Sequence, residues 1–172
     1  MSKSCHLDRS QRRQRGLAMV EFVVTAPMLL LLLFGTVVFG EFLINYSTLN
    51  DGVRNAARYV AGAASNGTDG TLVTGSTWST LAAQGQNLAV YGNVNGNVNG
   101  AGPLLPGLTV GEITVTPVPA NALTVPPNPY NKIIVSAAYP YRSLFGASMP
   151  DFFGGTIATN FTLSISTTMI AL

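Results

Sequence analysis

The longest apolar segment of the chain lies near its N-terminus. Residues 22–40 form a run of 19 residues without a charged side chain, and five consecutive leucines occupy positions 29–33. An α-helix rises about 1.5 Å per residue, so this run extends roughly 29 Å, the thickness of a bilayer hydrocarbon core. The pattern predicts a transmembrane helix containing Phe22, Pro27, Leu31, Phe34 and Gly40. Pro27 can bend such a helix, which membrane proteins tolerate when neighbouring groups satisfy the freed carbonyl.

After the span, apolar residues recur at alternating steps of four and three, which is typical of a helix with one apolar face. They are Phe42, Tyr46, Leu49, Val53, Ala56, Val60 and Ala63. Ser65, Asn66 and Gly67 then supply a helix stop signal. The pattern therefore predicts one helix from Leu17 to Ala64, about 72 Å long, with roughly half of it standing outside the bilayer as a stalk.

The remainder of the chain is predicted to form one small α+β domain over residues 65–172. A short amphipathic helix is expected around Trp78 and Leu88, capped by Ser76 or Thr77, although Gly85 weakens it. Alternating apolar positions then indicate strands over 113–117, 132–141 and 161–172. Each candidate strand has one apolar face, so we expect an antiparallel sheet covered on one side by the Trp78 helix, the stalk or both.

The distribution of charge predicts the orientation of the span. Five of the nine basic residues lie within residues 1–16, where Asp8 is the one acidic residue. Because positive residues favour the cytoplasmic side, residues 1–16 form a cytoplasmic leader and the C-terminal domain lies outside. The chain beyond the leader has four basic and six acidic side chains, which argues against nucleic-acid binding.

The residue types after the leader argue against enzymatic chemistry. Cys5 and His6 are the sole cysteine and histidine, and both precede the span. The domain thus has no disulfide, no histidine base and no zinc site of the usual kind, and its carboxylates are widely scattered. Neither a phosphate-binding loop nor a nucleophile elbow is present. We therefore expect no catalytic residues, no metal and no cofactor.

A short motif at the start of the span points to processing. The leader ends at Gly16, and Glu21 is a lone carboxylate at the edge of the apolar run. An unpaired carboxylate is costly inside a membrane, so such a residue is a functional candidate. Cleavage between Gly16 and Leu17 would create an α-ammonium group able to balance that charge. This arrangement resembles the prepilin-peptidase site of type IV pilins and pseudopilins.

An ordered combination of motifs makes the resemblance more specific. The segment 15–22 reads RGLAMVEF, Ala26-Pro27 leads into the leucine run, Gly35 and Glu41 follow, and 55–61 reads NAARYVA. Together they resemble the TadE-like family. The major pilins of that system usually have tyrosine after the glutamate where this chain has Phe22, and they are far shorter, which favours an accessory subunit.

The resemblance implies a pseudopilin of a tight-adherence (Flp-type) pilus machine, processed by a prepilin peptidase. Its implied location is the bacterial inner membrane, with possible incorporation into the pilus. The implied partners are other tight-adherence pilins or pseudopilins and inner-membrane assembly proteins. Two alternatives remain open on the sequence: an unprocessed, signal-anchored envelope scaffold, and a membrane-tethered module that binds carbohydrate or peptide.

Large apolar residues also cluster between the last two predicted strands. Leu144 and Phe145 precede Met149–Phe153, a stretch that contains Phe152 and Phe153, in what the sequence predicts to be a loop. One interpretation is that these side chains cap the core of the sheet. The other is a surface for another pseudopilin or for the outer leaflet of the membrane, since loops normally present polar side chains to water.

Overall fold

The described part of the chain forms a long helix, a shorter helix and two small antiparallel sheets. The computed structural model describes residues 6–66, 71–98, 100, 102–120, 130–143, 146, 148–150, 155–158 and 160–171, with side chains from Met19 onward apart from positions 149 and 150. The predicted α+β class is confirmed. The candidate surface residues Leu144, Phe145, Phe152 and Phe153 lie outside the described residues.

Helix α1 spans His6–Ala63, 58 residues, and continues through Pro27. It begins upstream of Leu17, the predicted start, because the leader is rich in arginine and glutamine, which are good helix formers. Among the described residues one helix is long and apolar enough to cross a membrane, with a mean hydropathy of 2.5 in its most apolar window. Phe22, Leu31 and Phe34 expose their side chains along it, while Pro27 and Gly40 are half-buried. This long apolar helix indicates membrane anchoring.

The second half of α1 packs on the domain. Leu49, Val53, Ala56 and Val60 are buried as the periodicity predicts, and they are joined by a second row formed by Ala57, Ala61 and Ala64. Phe42, the first position of the predicted stripe, is partly buried against the core. The prediction is wrong at Tyr46 and at Ala63, which are exposed. The buried face is wider than one stripe because α1 contacts both α2 and the sheet.

Helix α2 spans Gly75–Tyr91 and lies against α1. Its N-cap is Thr74, without a side-chain hydrogen bond, so the predicted caps Ser76 and Thr77 are wrong and instead lie in the first turn. The helix ends at Gly92, whose φ of 69° suits glycine and whose N–H donates to the Leu88 carbonyl.

The main sheet is an antiparallel meander in the order β1-β2-β5. Its predicted strands are confirmed as β1 (Ile113–Val118), β2 (Lys132–Tyr141) and β5 (Phe161–Ile170), preceded by a 3₁₀ turn at Val110–Glu112. Val135 of β2 pairs with Val115 on one side and with Thr167 on the other. As predicted, β1 is an edge strand, which tolerates Pro117.

One face of the sheet is buried and the other is polar. The buried face contains Ile113, Ile133, Val135, Ala137, Tyr139, Tyr141, Leu163 and Ile165. The opposite face is serine- and threonine-rich, and the Ser136 and Ser166 hydroxyls lie 3.0 Å apart. Helix α1 covers β2 and β5 whereas α2 covers β1, so both predicted covers are used.

The connection between β2 and β5 contains a small hairpin that the sequence did not indicate. Strand β3 (Ser148–Pro150) pairs with β4 (Thr156–Ala158) in a separate two-stranded sheet. The prediction of an irregular loop is therefore wrong at Met149 and Pro150, which belong to β3. Strands of three residues are too short to show an alternating pattern, which is why periodicity missed them.

Candidate functional site at the two ends of the membrane span

The first candidate site lies where the apolar part of α1 begins. Gly16, Leu17 and Glu21 all belong to α1, and the side-chain description starts after Leu17. The Glu21 side chain is exposed, and its backbone carbonyl accepts a hydrogen bond of 2.9 Å from the Thr25 hydroxyl. Leu17 and Glu21 are four residues apart, so they lie about 6 Å apart along the same face of the helix.

The spacing of Leu17 and Glu21 determines where a new N-terminus would lie relative to the Glu21 carboxylate. If the chain were cut before Leu17, the new α-ammonium group would lie one turn from the Glu21 carboxylate. The two charges would then face the same side of the helix, at the polar edge of the span. They could pair within one chain or with the complementary groups of a neighbouring helix.

The second candidate site lies at the other end of the span, where the domain joins α1. Five aromatic rings, which we name the junction cluster, extend from the span to the sheet: Phe39, Phe42, Tyr46, Tyr141 and Phe161. Ring centroids are 6.2 Å apart for Phe39 and Phe42, 5.3 Å for Phe42 and Phe161, and 4.9 Å for Tyr141 and Phe161. Aromatic pairs at such distances add to the stability gained from burial alone.

A hydrogen bond completes this junction. The Tyr141 hydroxyl donates to a Glu41 carboxylate oxygen at 3.2 Å, joining residues 100 positions apart in the sequence. Tyr141 is 1% exposed. Its burial, followed by the charge and the hydrogen bond of Glu41, raises the pKa of Tyr141 to about 12. No sequence pattern predicted a packing role for Glu41, because its pairing with Tyr141 depends on how the sheet lies on α1.

A cleft of about 410 Å³ opens beside this hydrogen bond. Glu41, Glu112 and Arg142 bring two carboxylates and a guanidinium to its walls. The Tyr139 hydroxyl donates to the Pro106 carbonyl at 2.9 Å, and burial together with Glu112 and Glu41 raises the pKa of Tyr139. Within the described part of the chain, no three side chains of the metal-binding types gather into a possible ion site.

Replacing Tyr141 by phenylalanine should destabilise the domain by about 1 kcal/mol and flatten its loss of stability at high pH. Because the pKa of Tyr141 is about 12 in the folded protein against 10.0 as the ordinary value, its contribution is complete below pH 10. The contribution is lost as pH rises from 10 to 12, where the unfolded chain releases the proton first. Thermal unfolding at a series of pH values measures this.

Tyr46→Phe is the control for that experiment, since Tyr46 belongs to the same cluster but is exposed. It should leave the alkaline profile of the wild type unchanged. An unchanged profile in Tyr141→Phe as well would contradict a stabilising role for the bond to Glu41.

Comparison with known proteins agrees with the geometry at the first site. Residues 16–58 match the family described as TadE-like protein. The chain carries a TadE-like segment. The match begins at Gly16 and includes Glu21, the whole apolar run and the stalk as far as Arg58. It confirms the resemblance found in the sequence.

The TadE-like segment covers a quarter of the chain, and the sheet lies outside it. No curated protein and no solved structure matches the chain. The family match indicates a protein associated with the tight-adherence pilus. It also places both Glu21 and Glu41, the carboxylates at the two ends of the apolar run, within one family segment.

Proposed function

We propose that this protein is a TadE-like pseudopilin that a prepilin peptidase cleaves between Gly16 and Leu17 and that takes part in assembling a tight-adherence pilus. The observation that carries the proposal is the TadE-like match, which starts at Gly16. The continuous α1 supports it, because one helix joins the leader, the apolar run and the stalk. The role is one of assembly rather than catalysis.

The proposed location follows from charge and length. The basic leader remains in the cytoplasm, α1 crosses the bacterial inner membrane once, and the domain of α2 and the sheets lies outside. The partners are then the prepilin peptidase on the cytoplasmic side, and other pilins, pseudopilins and assembly proteins within or beyond the membrane. The exposed apolar side chains of residues 28–34 provide a surface for helices or lipid in that membrane.

Glu21 has a specific task in this proposal. After cleavage, the α-ammonium group of Leu17 and the Glu21 carboxylate form a matched pair of charges at the start of the apolar run. Pairing lowers the cost of holding either charge in a low-dielectric environment. A subunit that leaves the membrane for a helical assembly can therefore dock its N-terminus against a neighbour without leaving a charge unpaired.

Replacing Gly16 by valine should block processing, so that the full-length form accumulates. Glycine has no side chain, and a β-branched residue at the cleaved bond would obstruct the peptidase. Gly35→Val is the matched control: it makes the same change in the same helix, where an added Cβ meets nothing within 4 Å. Electrophoretic mobility with and without a prepilin peptidase, together with the mature N-terminus by mass spectrometry, measures the effect.

An intact N-terminus, at Met1 or Ser2, on native protein from piliated cells would contradict the proposal. That result would favour the unprocessed envelope scaffold instead. Equal processing of Gly16→Val and wild type would likewise exclude Gly16 as the cleavage site.

A further inference from the structure

The junction cluster fixes how far the domain lies from the bilayer. Gly40 is the last residue of the apolar run, and the next two residues, Glu41 and Phe42, contact the sheet through Tyr141 and Phe161. Two residues of helix correspond to about 3 Å along the axis. With the apolar run spanning the bilayer, the end of the sheet that contains Tyr141 and Phe161 would therefore lie at the membrane surface.

The direction of the strands separates this end from the opposite one. Tyr141 pairs with Phe161 at one end of the β2–β5 ladder, and Lys132 pairs with Ile170 at the other. The nine steps between Phe161 and Ile170 correspond to about 30 Å at roughly 3.3 Å per residue. The two ends of the sheet are thus about 30 Å apart, and the Tyr141–Phe161 end is the one that contacts the first residues after the span.

The membrane end carries exposed apolar side chains. Phe161 is 45% exposed although it belongs to the junction cluster, and Ile157 of β4 is 50% exposed. Ile157 is four residues before Phe161, so their Cα atoms are within about 14 Å of each other. Leu43 and Ile44, which follow Phe42 in α1, are also exposed.

From this placement we infer that the domain is seated on the outer leaflet, with Phe161 and Ile157 of β4 in contact with the boundary between lipid headgroups and acyl chains. Aromatic and aliphatic side chains next to the end of a span favour this boundary. Lipid is the occupant because α1 continues from the span into the domain, so this surface lies next to the bilayer in every molecule. The inference depends on the membrane span and not on a role in pilus assembly.

The charged residues beside the junction cluster indicate that the contact with lipid depends on apolar side chains and not on electrostatic attraction. The charged residues that line the cleft beside the junction are Glu41, Glu112 and Arg142, which are two carboxylates and one guanidinium. This set offers no net attraction for anionic lipid. Seating should therefore persist in about 1 M salt, where the Debye length is about 3 Å.

Tryptophan fluorescence in brominated lipid tests the inference on the full chain. Trp78 is the single tryptophan and is replaced by phenylalanine, after which Phe161→Trp, Ile157→Trp and Ile170→Trp are made separately. Ile170 is the matched control, because it is an isoleucine in a strand and is 50% exposed like Ile157, but lies at the far end of the sheet. Each protein is reconstituted in phosphatidylethanolamine–phosphatidylglycerol vesicles with or without bromine on the acyl chains.

We expect bromine to reduce the emission of Phe161→Trp and Ile157→Trp at least about twofold and to leave Ile170→Trp unchanged, since interfacial side chains reach about 5–10 Å into the headgroup and acyl boundary. Equal emission in both lipids at positions 157 and 161 would overturn the inference, as would similar quenching at all three positions. A protein partner at this surface would give the first of these results. Loss of quenching in high salt would overturn the apolar contact.

A second label guards against misfolding of the tryptophan variants. Cys5→Ser removes the single cysteine, and Ile157→Cys or Ile170→Cys then accepts an environment-sensitive fluorophore. A blue-shifted emission at 157 but not at 170 supports the seating. Emission typical of water at both positions, in protein with unchanged circular dichroism, overturns it. Neither measurement depends on cleavage or on piliation, so each can fail while the proposed function holds.

Discussion

Replacing Glu21 by glutamine should abolish piliation while the processed protein remains at its normal level. Glutamine has nearly the same size and removes the charge, so insertion into the membrane becomes easier rather than harder. Docking should fail because the α-ammonium group of a neighbouring subunit would lose its partner. Two unit charges 4 Å apart attract by about 4 kcal/mol at an effective dielectric constant of 20, which would change a docking equilibrium by roughly three orders of magnitude.

Two variants serve as controls for the Glu21→Gln experiment. Glu21→Asp keeps the charge on a shorter side chain and should retain part of the piliation. Thr25→Val changes the next residue on the same face, removes the hydroxyl that donates to the Glu21 carbonyl, and should leave piliation intact. Immunoblots of membranes measure the processed form, and sheared pili counted by electron microscopy measure assembly. Wild-type piliation in Glu21→Gln would exclude the charge-pairing mechanism.

The features that the sequence predicted correctly are those controlled by local periodicity. A charge-free run predicted the apolar part of α1, and alternation predicted β2 with its observed bounds of Lys132 and Tyr141. The stalk periodicity also identified Leu49, Val53, Ala56 and Val60 as a buried face. In each case one side of an element faces a single environment, so residue type and spacing carry the information.

The features that the sequence missed depend on which elements meet. Leu105 and Leu108 are buried, although they lie in or beside a Gly/Pro-rich segment that predicted only a connection. Glu41 and Tyr141 form a hydrogen bond although they are 100 positions apart in the sequence, and no local pattern predicts such a contact. The proposed processing site differs from both, because in that proposal a peptidase or a neighbouring subunit recognises Gly16 and Glu21, and packing within the chain does not define them.

Gly85 shows why a rule based on local helix propensity can give a wrong expectation. A glycine inside a helix costs about 1 kcal/mol relative to alanine, which weakened the prediction of α2. In the structure Gly85 is buried, and a Cβ there would lie 2.5 Å from Val60 Cγ2. The glycine lets α2 approach α1 closely, so its cost to the helix is offset by contact between the two helices. Gly52 of α1 has the reciprocal position against Ala89 of α2.

Replacing Gly52 by alanine should therefore destabilise the domain, whereas the same substitution at Gly62 should stabilise it. A Cβ at Gly52 would lie 2.8 Å from the Ala89 carbonyl oxygen, a backbone atom that moves only if α2 shifts. Overpacking of this kind costs about 1–3 kcal/mol, against a gain in helix propensity of at most about 1 kcal/mol. At Gly62 a Cβ meets nothing within 4 Å, so we expect the gain in helix propensity without a cost from overpacking.

Thermal unfolding of the full chain in detergent compares the two variants. The fluorescence of Trp78 reports on this unfolding directly, because Trp78 belongs to α2 and packs against the core. A difference of 1 kcal/mol shifts the Tm of a domain of 60–100 residues by about 4–8 °C, so the two substitutions should move the Tm in opposite directions by readily measured amounts. If Gly52→Ala raised the Tm as much as Gly62→Ala, the close contact between α1 and α2 would be wrong.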